Sequence, residues 1–205
     1  RDYAPFFIKE DGNQAIDDFV YGTYIGDDLI SYDIAENFNL PIYSSSLMHH
    51  GGNHISDGNG MGFFSSNIYY HNPTLPRAEV NLEFQSFFGI DSLIVVDPMQ
   101  GDGTGHIDMF CKLLSDTLFI VGEYDEFTEC FPGDRERLNE IADYFSGLTN
   151  LDGRRFAVER IPMPPYTYGG AAGTINYTYT NSLIINDLVL VPTYGFDLDE
   201  EALQI

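Results

Sequence analysis

The 205-residue chain carries nine Lys/Arg against 32 Asp/Glu, a formal net charge of −23. With 43% hydrophobic and 15% aromatic residues it can bury a sizeable core, which argues against intrinsic disorder despite the charge. Such an acidic surface repels phosphate backbones, and no apolar run approaches the ~20 residues of a membrane span, so neither nucleic acid nor membrane is an expected partner.

The elements follow one recurring order: strand, turn, strand, helix, strand. The first copy opens at residues 3–8, turns at Asp11-Gly12-Asn13 and returns through 15–21. Its helix takes Ser31 as N-cap, puts Ile34, Ala35 and Phe38 on one face, and is closed by a strand at 41–44. The second copy starts at Gly51-Gly52-Asn53, turns at Asp57-Gly58-Asn59-Gly60 and returns through 61–65. Pro76 suits a first helical turn, Val80, Phe84, Phe87 and Phe88 mark a buried helix face, Gly89 ends the helix, and 92–96 reads as a buried strand. The third copy starts at Gly105-His106-Ile107-Asp108 and turns at Ser115-Asp116. It returns through 118–121, stripes a helix with Leu138, Ile141, Ala142 and Phe145 up to Gly147, and closes with a strand at 155–161. The fourth starts at Thr180-Asn181, turns at Asn186-Asp187, returns through 189–192, and begins a helix near Asp199. The openings thus fall at Asp2, Asn53, His106 and Asn181, with a Pro/Tyr/Gly-rich stretch, 162–173, lengthening the last interval. That stretch reads as an inserted loop that could cover a site. The organisation is α/β, built of pseudo-repeated ββαβ units.

If the copies pack around an axis, their polar openings converge on one central cavity, as in sheet propellers. The sharpest local feature is Gly101-Asp102-Gly103-Thr104-Gly105-His106-Ile107-Asp108. In an extended strand His106 and Asp108 share a face. Asp108 then either orients the imidazole and stabilises its charged form, or binds a cation while His106 moves protons. The leading glycines allow close approach of a substrate to the backbone. His49, His50 and His54 cluster without the spacing that would complete a metal site, and Asp57-Gly58-Asn59-Gly60 is a hairpin turn with no Glu at the distance a calcium loop needs. No metal and no cofactor are expected. Cys111 and Cys130 form neither a disulfide scaffold nor a ligand set; one disulfide or two thiols are both compatible with their positions. No nucleophile elbow, P-loop or dinucleotide fingerprint is present.

Four segments resemble the Porphyromonas-type peptidylarginine deiminase and agmatine deiminase family: Arg1-Asp2-Tyr3-Ala4-Pro5, Gly51-Gly52-Asn53 with Asp57-Gly58, Asp102-Gly103-Thr104-Gly105-His106-Ile107-Asp108, and Tyr179-Thr180-Asn181-Ser182-Leu183-Ile184. The resemblance spans essentially the whole chain and implies a five-bladed α/β propeller, of which 1–205 would be one catalytic domain holding about four repeats, truncated at both ends. It also implies guanidine hydrolysis, in which a cysteine thiolate attacks the guanidinium carbon, ammonia leaves and water releases a ureido product. His106 matches the family's proton-shuttling His. Asp2 and Asp108 match the carboxylates that grip the guanidinium, and Asn181 matches an Asn near the site. Asn53, at a repeat opening, joins the expected substrate-binding set. The family nucleophile follows a Gly-rich stretch in a His-Cys pair beyond Ile205, and neither Cys111 nor Cys130 matches it. Residues 21–28 hold no Arg to grip a C-terminal carboxylate, so the expected substrate is a cationic guanidinium compound: peptide arginine first, agmatine second. A guanidinium-binding homologue without catalysis and an acidic carbohydrate- or calcium-binding module are the readings from other classes.

Overall fold

Gly and Asx turns between short β-rich runs fold the chain into three consecutive three-stranded sheets of one design. The computed structural model describes every residue except Arg1, Ala4, Thr23 and 170–172, together with all side chains but that of Ile25. Parts of the opening pentapeptide, of 21–28 and of the 162–173 stretch therefore lie outside the described residues.

In the first unit, β1 (Phe6–Glu10) pairs antiparallel with β2 (Asn13–Val20) through the Asp11-Gly12 turn, whose φ values of 48° and 83° suit Asp and Gly. Helices α1 (Ile25–Asp28) and α2 (Ile30–Phe38) carry the chain over the sheet to β3 (Ile42–Met48), parallel to β2. The second unit repeats this with β4 (Ile55–Ser56), β5 (Met61–Ser65), α3 (Asn67–His71), α4 (Arg77–Phe88) and β6 (Ser92–Val96). The third uses β7 (Cys111–Ser115), β8 (Leu118–Glu123), α5 (Asp134–Gly147) and β9 (Ala157–Pro162). β10 (Thr167–Tyr168), within the expected insertion, pairs with β11 (Thr174–Ile175), just after it. A hairpin of β12 (Leu183–Ile185) and β13 (Leu188–Leu190), then α6 (Leu198–Ala202), begins a fourth unit.

Neighbouring units pack face to face, and β5 shows how. Its adjacent residues Phe63 and Phe64 point to opposite faces of the sheet and are both fully buried. Phe63 enters a core shared with the third unit, against Phe119, Phe145 and Phe156. Phe64 enters a core shared with the first, with Phe19, Leu47, Val80 and Phe84.

The stripe Leu138, Ile141, Ala142 and Phe145 is buried as expected, and Gly89 closes α4 in the left-handed region. Three local expectations are corrected. Ser31 lies inside α2 rather than capping it, because the helix continues from the Leu29 turn and buries the hydroxyl. Phe38 is 70% exposed, since only Ala35 of that face meets the sheet squarely. Gly147 is the last helical residue of α5 and the chain leaves through Leu148 in extended geometry, without a left-handed cap.

Candidate active site

Two single-turn 3-10 helices, Gly51–Asn53 and Ile107–Met109, lie against each other just before β4 and β7. The stretch from His106 to Asp108 is therefore not an extended strand: His106 is the extended residue before the turn, and Asp108 sits within it. The turn still sends both side chains to one place, because the facing turn has a glycine there. A methyl group on Gly52 would fall 2.5 Å from His106 Nδ1, 2.8 Å from Asp2 Oδ1 and 3.0 Å from Asp108 Oδ2. His106 and Asp108 are buried, at 4% and 2% exposure, while the Asp2 side chain is 38% exposed.

The loop ahead of His106 is held on all sides. Asp102 accepts the Thr104 N–H and hydroxyl, Thr104 Oγ1 accepts the His106 N–H at 3.3 Å, and Asn67 donates to the Thr104 carbonyl at 2.7 Å. Gly105 takes φ 64° with Asn67 packed where a side chain would go, and its carbonyl accepts from the Ser65 hydroxyl. Asn176, just beyond the expected insertion, donates to the Gly101 carbonyl.

Asp2 is fixed by the Gly-Gly turn. Its carbonyl accepts the Gly51 N–H and its Oδ1 accepts the Gly52 N–H, both at 3.0 Å. Oδ1 stands 3.7 Å from His106 Nδ1, an ion pair when the ring is protonated. Asn53 is buried between the units: Oδ1 accepts the Ser65 N–H at 2.8 Å and the Ile107 N–H at 3.2 Å, so its amide braces the two turns. Asn181 is exposed, with Nδ2 3.7 Å from the Met109 sulfur. Its neighbour Thr180 reaches the second turn, donating to the Asp108 carbonyl at 2.9 Å. His106, Asp108 and Asp2 are thus brought together, Asn53 lies behind them, and Asn181 stands at the rim.

His49, His50 and His54 cluster in the sequence, and the fold separates them. His49 and His54 stack within the Phe6, Phe64, Phe84 and Phe88 cluster. Burial lowers the His49 pKa well below the usual range and takes His54 down to about 4. His50 turns the other way and meets His106, Nδ1 to Nε2 at 3.0 Å. His71, unremarked in the sequence, lies with its ring 4.6 Å from that of His50; burial first, then the neighbouring histidines, takes it to about 4. No group of three His, Cys, Asp or Glu suited to a metal exists among the described residues.

Both cysteines are free. Cys111 is fully buried, and burial first, then Asp108, pushes its thiol well above the usual range, which leaves it protonated and unreactive. Cys130 lies in the segment before α5, packed against the core of the third unit. A cleft of about 540 Å³ lies elsewhere, between the first sheet and the end of α4, lined by Glu10, Asp17, Tyr43, His54 and Phe87.

The fold recurs in solved structures: an agmatine deiminase of Enterococcus faecalis (TM-score 0.85, 19% identity, covering all of this chain and 64% of that one) and a substrate-bound agmatine deiminase variant of C. jejuni (TM-score 0.81, 21% identity, 98% and 61%). The curated agmatine deiminase of Medicago truncatula is 25% identical over 93% of this chain and 56% of its own length. The chain spans less than two thirds of these relatives. The Porphyromonas-type peptidyl-arginine deiminase family matches residues 1–205 throughout, and the chain belongs to that family.

Proposed function

We propose that this chain forms the guanidinium-binding and proton-transfer part of a hydrolase that converts a guanidinium and water to a ureido group and ammonium. The observation that carries the reading is the convergence of Asp2, His106 and Asp108 over Gly52. Two carboxylates beside a planar cation each take N–H donors in charge-assisted bonds. The missing Cβ of Gly52 lets the His106, Asp2 and Asp108 side chains close in together over the backbone. His106 then gives a proton to the departing ammonia and takes one from the attacking water. The thiolate comes from outside these 205 residues, a reading favoured by the buried, protonated state of Cys111. Three complete ββαβ units and the opening of a fourth support a count of about four repeats, and the five-bladed closure is what the family resemblance implies.

Peptide-internal arginine is the lead substrate. Agmatine is the second reading, favoured by the acidic site and by the agmatine deiminases among the relatives. In the full-length protein, a haloacetamidine should alkylate one cysteine other than Cys111 and Cys130, read by peptide mapping; a label on either of these would overturn the assignment. His106→Ala should cut ureido product release by about 10²–10⁴-fold with the fold retained. The ratio of kcat/KM for an arginine peptide and for agmatine decides the substrate. Binding of both without turnover would make this a guanidinium-binding homologue.

A further inference from the structure

His50 and His106 occupy the same place in consecutive units. Each is the extended residue immediately before a one-turn 3-10 helix, with φ/ψ of −116°/137° and −83°/145°. Their rings meet edge to face, with centroids 5.2 Å apart, and His50 Nδ1 lies 3.0 Å from His106 Nε2. The other nitrogen of His50, Nε2, lies 3.1 Å from the Tyr21 carbonyl oxygen.

These contacts fix where the hydrogens go. A carbonyl oxygen only accepts, so His50 Nε2 carries a hydrogen and donates it to Tyr21. The second nitrogen of a neutral imidazole is then a lone pair, so His50 Nδ1 accepts. Its partner, His106 Nε2, must donate, which leaves Nδ1 of neutral His106 without a hydrogen. Nδ1 is the nitrogen that faces Asp2 Oδ1 at 3.7 Å and packs over Gly52, where a Cβ would fall 2.5 Å from it. The Tyr21 carbonyl is itself oriented, because the N–H of the same peptide unit, that of Gly22, donates to Asp28 Oδ1 at 3.3 Å, and the Tyr21 N–H donates to the same oxygen at 2.6 Å. The rings of His71 and Tyr21 pack on His50, at 4.6 and 4.8 Å. A proton added to the pair goes to His106 Nδ1, where it faces the Asp2 carboxylate, rather than to His50 Nδ1, where it would face the His106 N–H.

We propose that His50 is a positioning residue that holds His106 in its Nε2–H tautomer and so dedicates Nδ1, the nitrogen on the Asp2 side, to proton exchange. The proposal rests on the role given to His106 above, but its first readout does not depend on turnover. Full-length protein labelled with ¹⁵N-histidine would be examined by long-range ¹H–¹⁵N correlation, with His106 assigned from the His106→Ala spectrum. The neutral wild-type ring should show Nε2 protonated and Nδ1 bare; the opposite tautomer would overturn the proposal, whatever the activity. His50→Phe should shift His106 to the other tautomer or a mixture and lower kcat about 100-fold with little change in KM. His50→Asn places Oδ1 where Nδ1 was, and should keep the tautomer and recover most of kcat. An unchanged His106 spectrum in a folded His50→Phe protein would sink the idea; should that variant not fold, the wild-type and His50→Asn spectra still decide. The expected tautomer in a protein that deiminates no guanidinium would uphold the positioning and reject the proposed function.

Discussion

The two one-turn helices at the site stand at equivalent places in consecutive units and do opposite work. Ile107–Met109, with His106 before it, supplies charge: an imidazole and a buried carboxylate. Gly51–Asn53 supplies space and backbone: Gly52 makes room, the Gly51 and Gly52 N–H groups hold Asp2, and Asn53 braces the other turn. The same scaffold position thus carries side chains into the cluster in one unit and makes room for them in the other. Of the two contributions, the space is the harder to replace, because atoms of His106, Asp2 and Asp108 already crowd its border.

Gly52→Ala tests this most severely. Its methyl group would fall within 3.0 Å of His106, Asp2 and Asp108, so one of the three must move. Displacements near 1 Å cost on the order of 100-fold in rate, and strain of this kind costs about 1–3 kcal/mol in stability. Gly103→Ala, in the same region but with nothing within 4 Å of the new methyl group and no positive φ, serves as the control. Steady-state kinetics of the two full-length variants should separate them by about two orders of magnitude. Equal activities would mean that Gly52 leaves no functional space.

That contrast also marks what could be read in the sequence. His106, Asp108 and Asp2 stand out in the sequence through the Gly-rich lead, the repeat openings and the family resemblance, and the fold brings their side chains together over Gly52. The apolar stripe of α5 and the Asx-Gly turns were legible because one helix face or one φ sign demands those residues. Gly52 could be seen but not its use, since the space it leaves is defined by residues fifty or more positions away. His50 was hidden between His49 and His54, three similar side chains of which two face the aromatic core. Taking Asn53 as the counterpart of His106 displaced the repeat by three residues. The turns that precede β4 and β7 align His50 with His106 instead. Extended geometry and a 3-10 turn both bring residues 106 and 108 to one pocket, so the strand reading failed locally while its consequence survived.

Asp108→Asn probes the charge-bearing turn with little change of shape. Losing one charge-assisted bond to a cation costs about 1.5–3 kcal/mol, or roughly 10- to 150-fold in affinity. Isothermal titration with agmatine or an arginine peptide, on the full-length protein with its nucleophile blocked, reads this directly. An affinity within twofold of wild type would remove Asp108 from the guanidinium site.

The division between apolar and titratable neighbours recurs in the two cores on either side of β5, with a smaller expected effect. The core shared by the second and third units is lined by apolar side chains, while that shared with the first sets His49 and His54 among phenylalanines and has Asp17, 1% exposed, in the adjoining cleft. Burial, assisted by Glu10, raises Asp17 from 3.8 to about 7. The folded state therefore binds this proton more tightly than the unfolded state, and Asp17 lowers stability as pH rises from about 4 to 7. His49, His54 and His71 act in the opposite sense: their folded pKa values lie below 6.5, so their contribution is present above pH 6.5 and is lost as pH falls toward 4. Three groups thus raise stability with pH between about 4 and 6.5 while Asp17 opposes them. Asp17→Asn removes its share of the opposition, to which Asp18, also raised by burial, adds, so urea unfolding should show a stability rise steeper than wild type by at most about 1.4 kcal/mol per pH unit in that range. Identical slopes would mean that Asp17 is ionised in the folded protein and finds its compensation in the cleft.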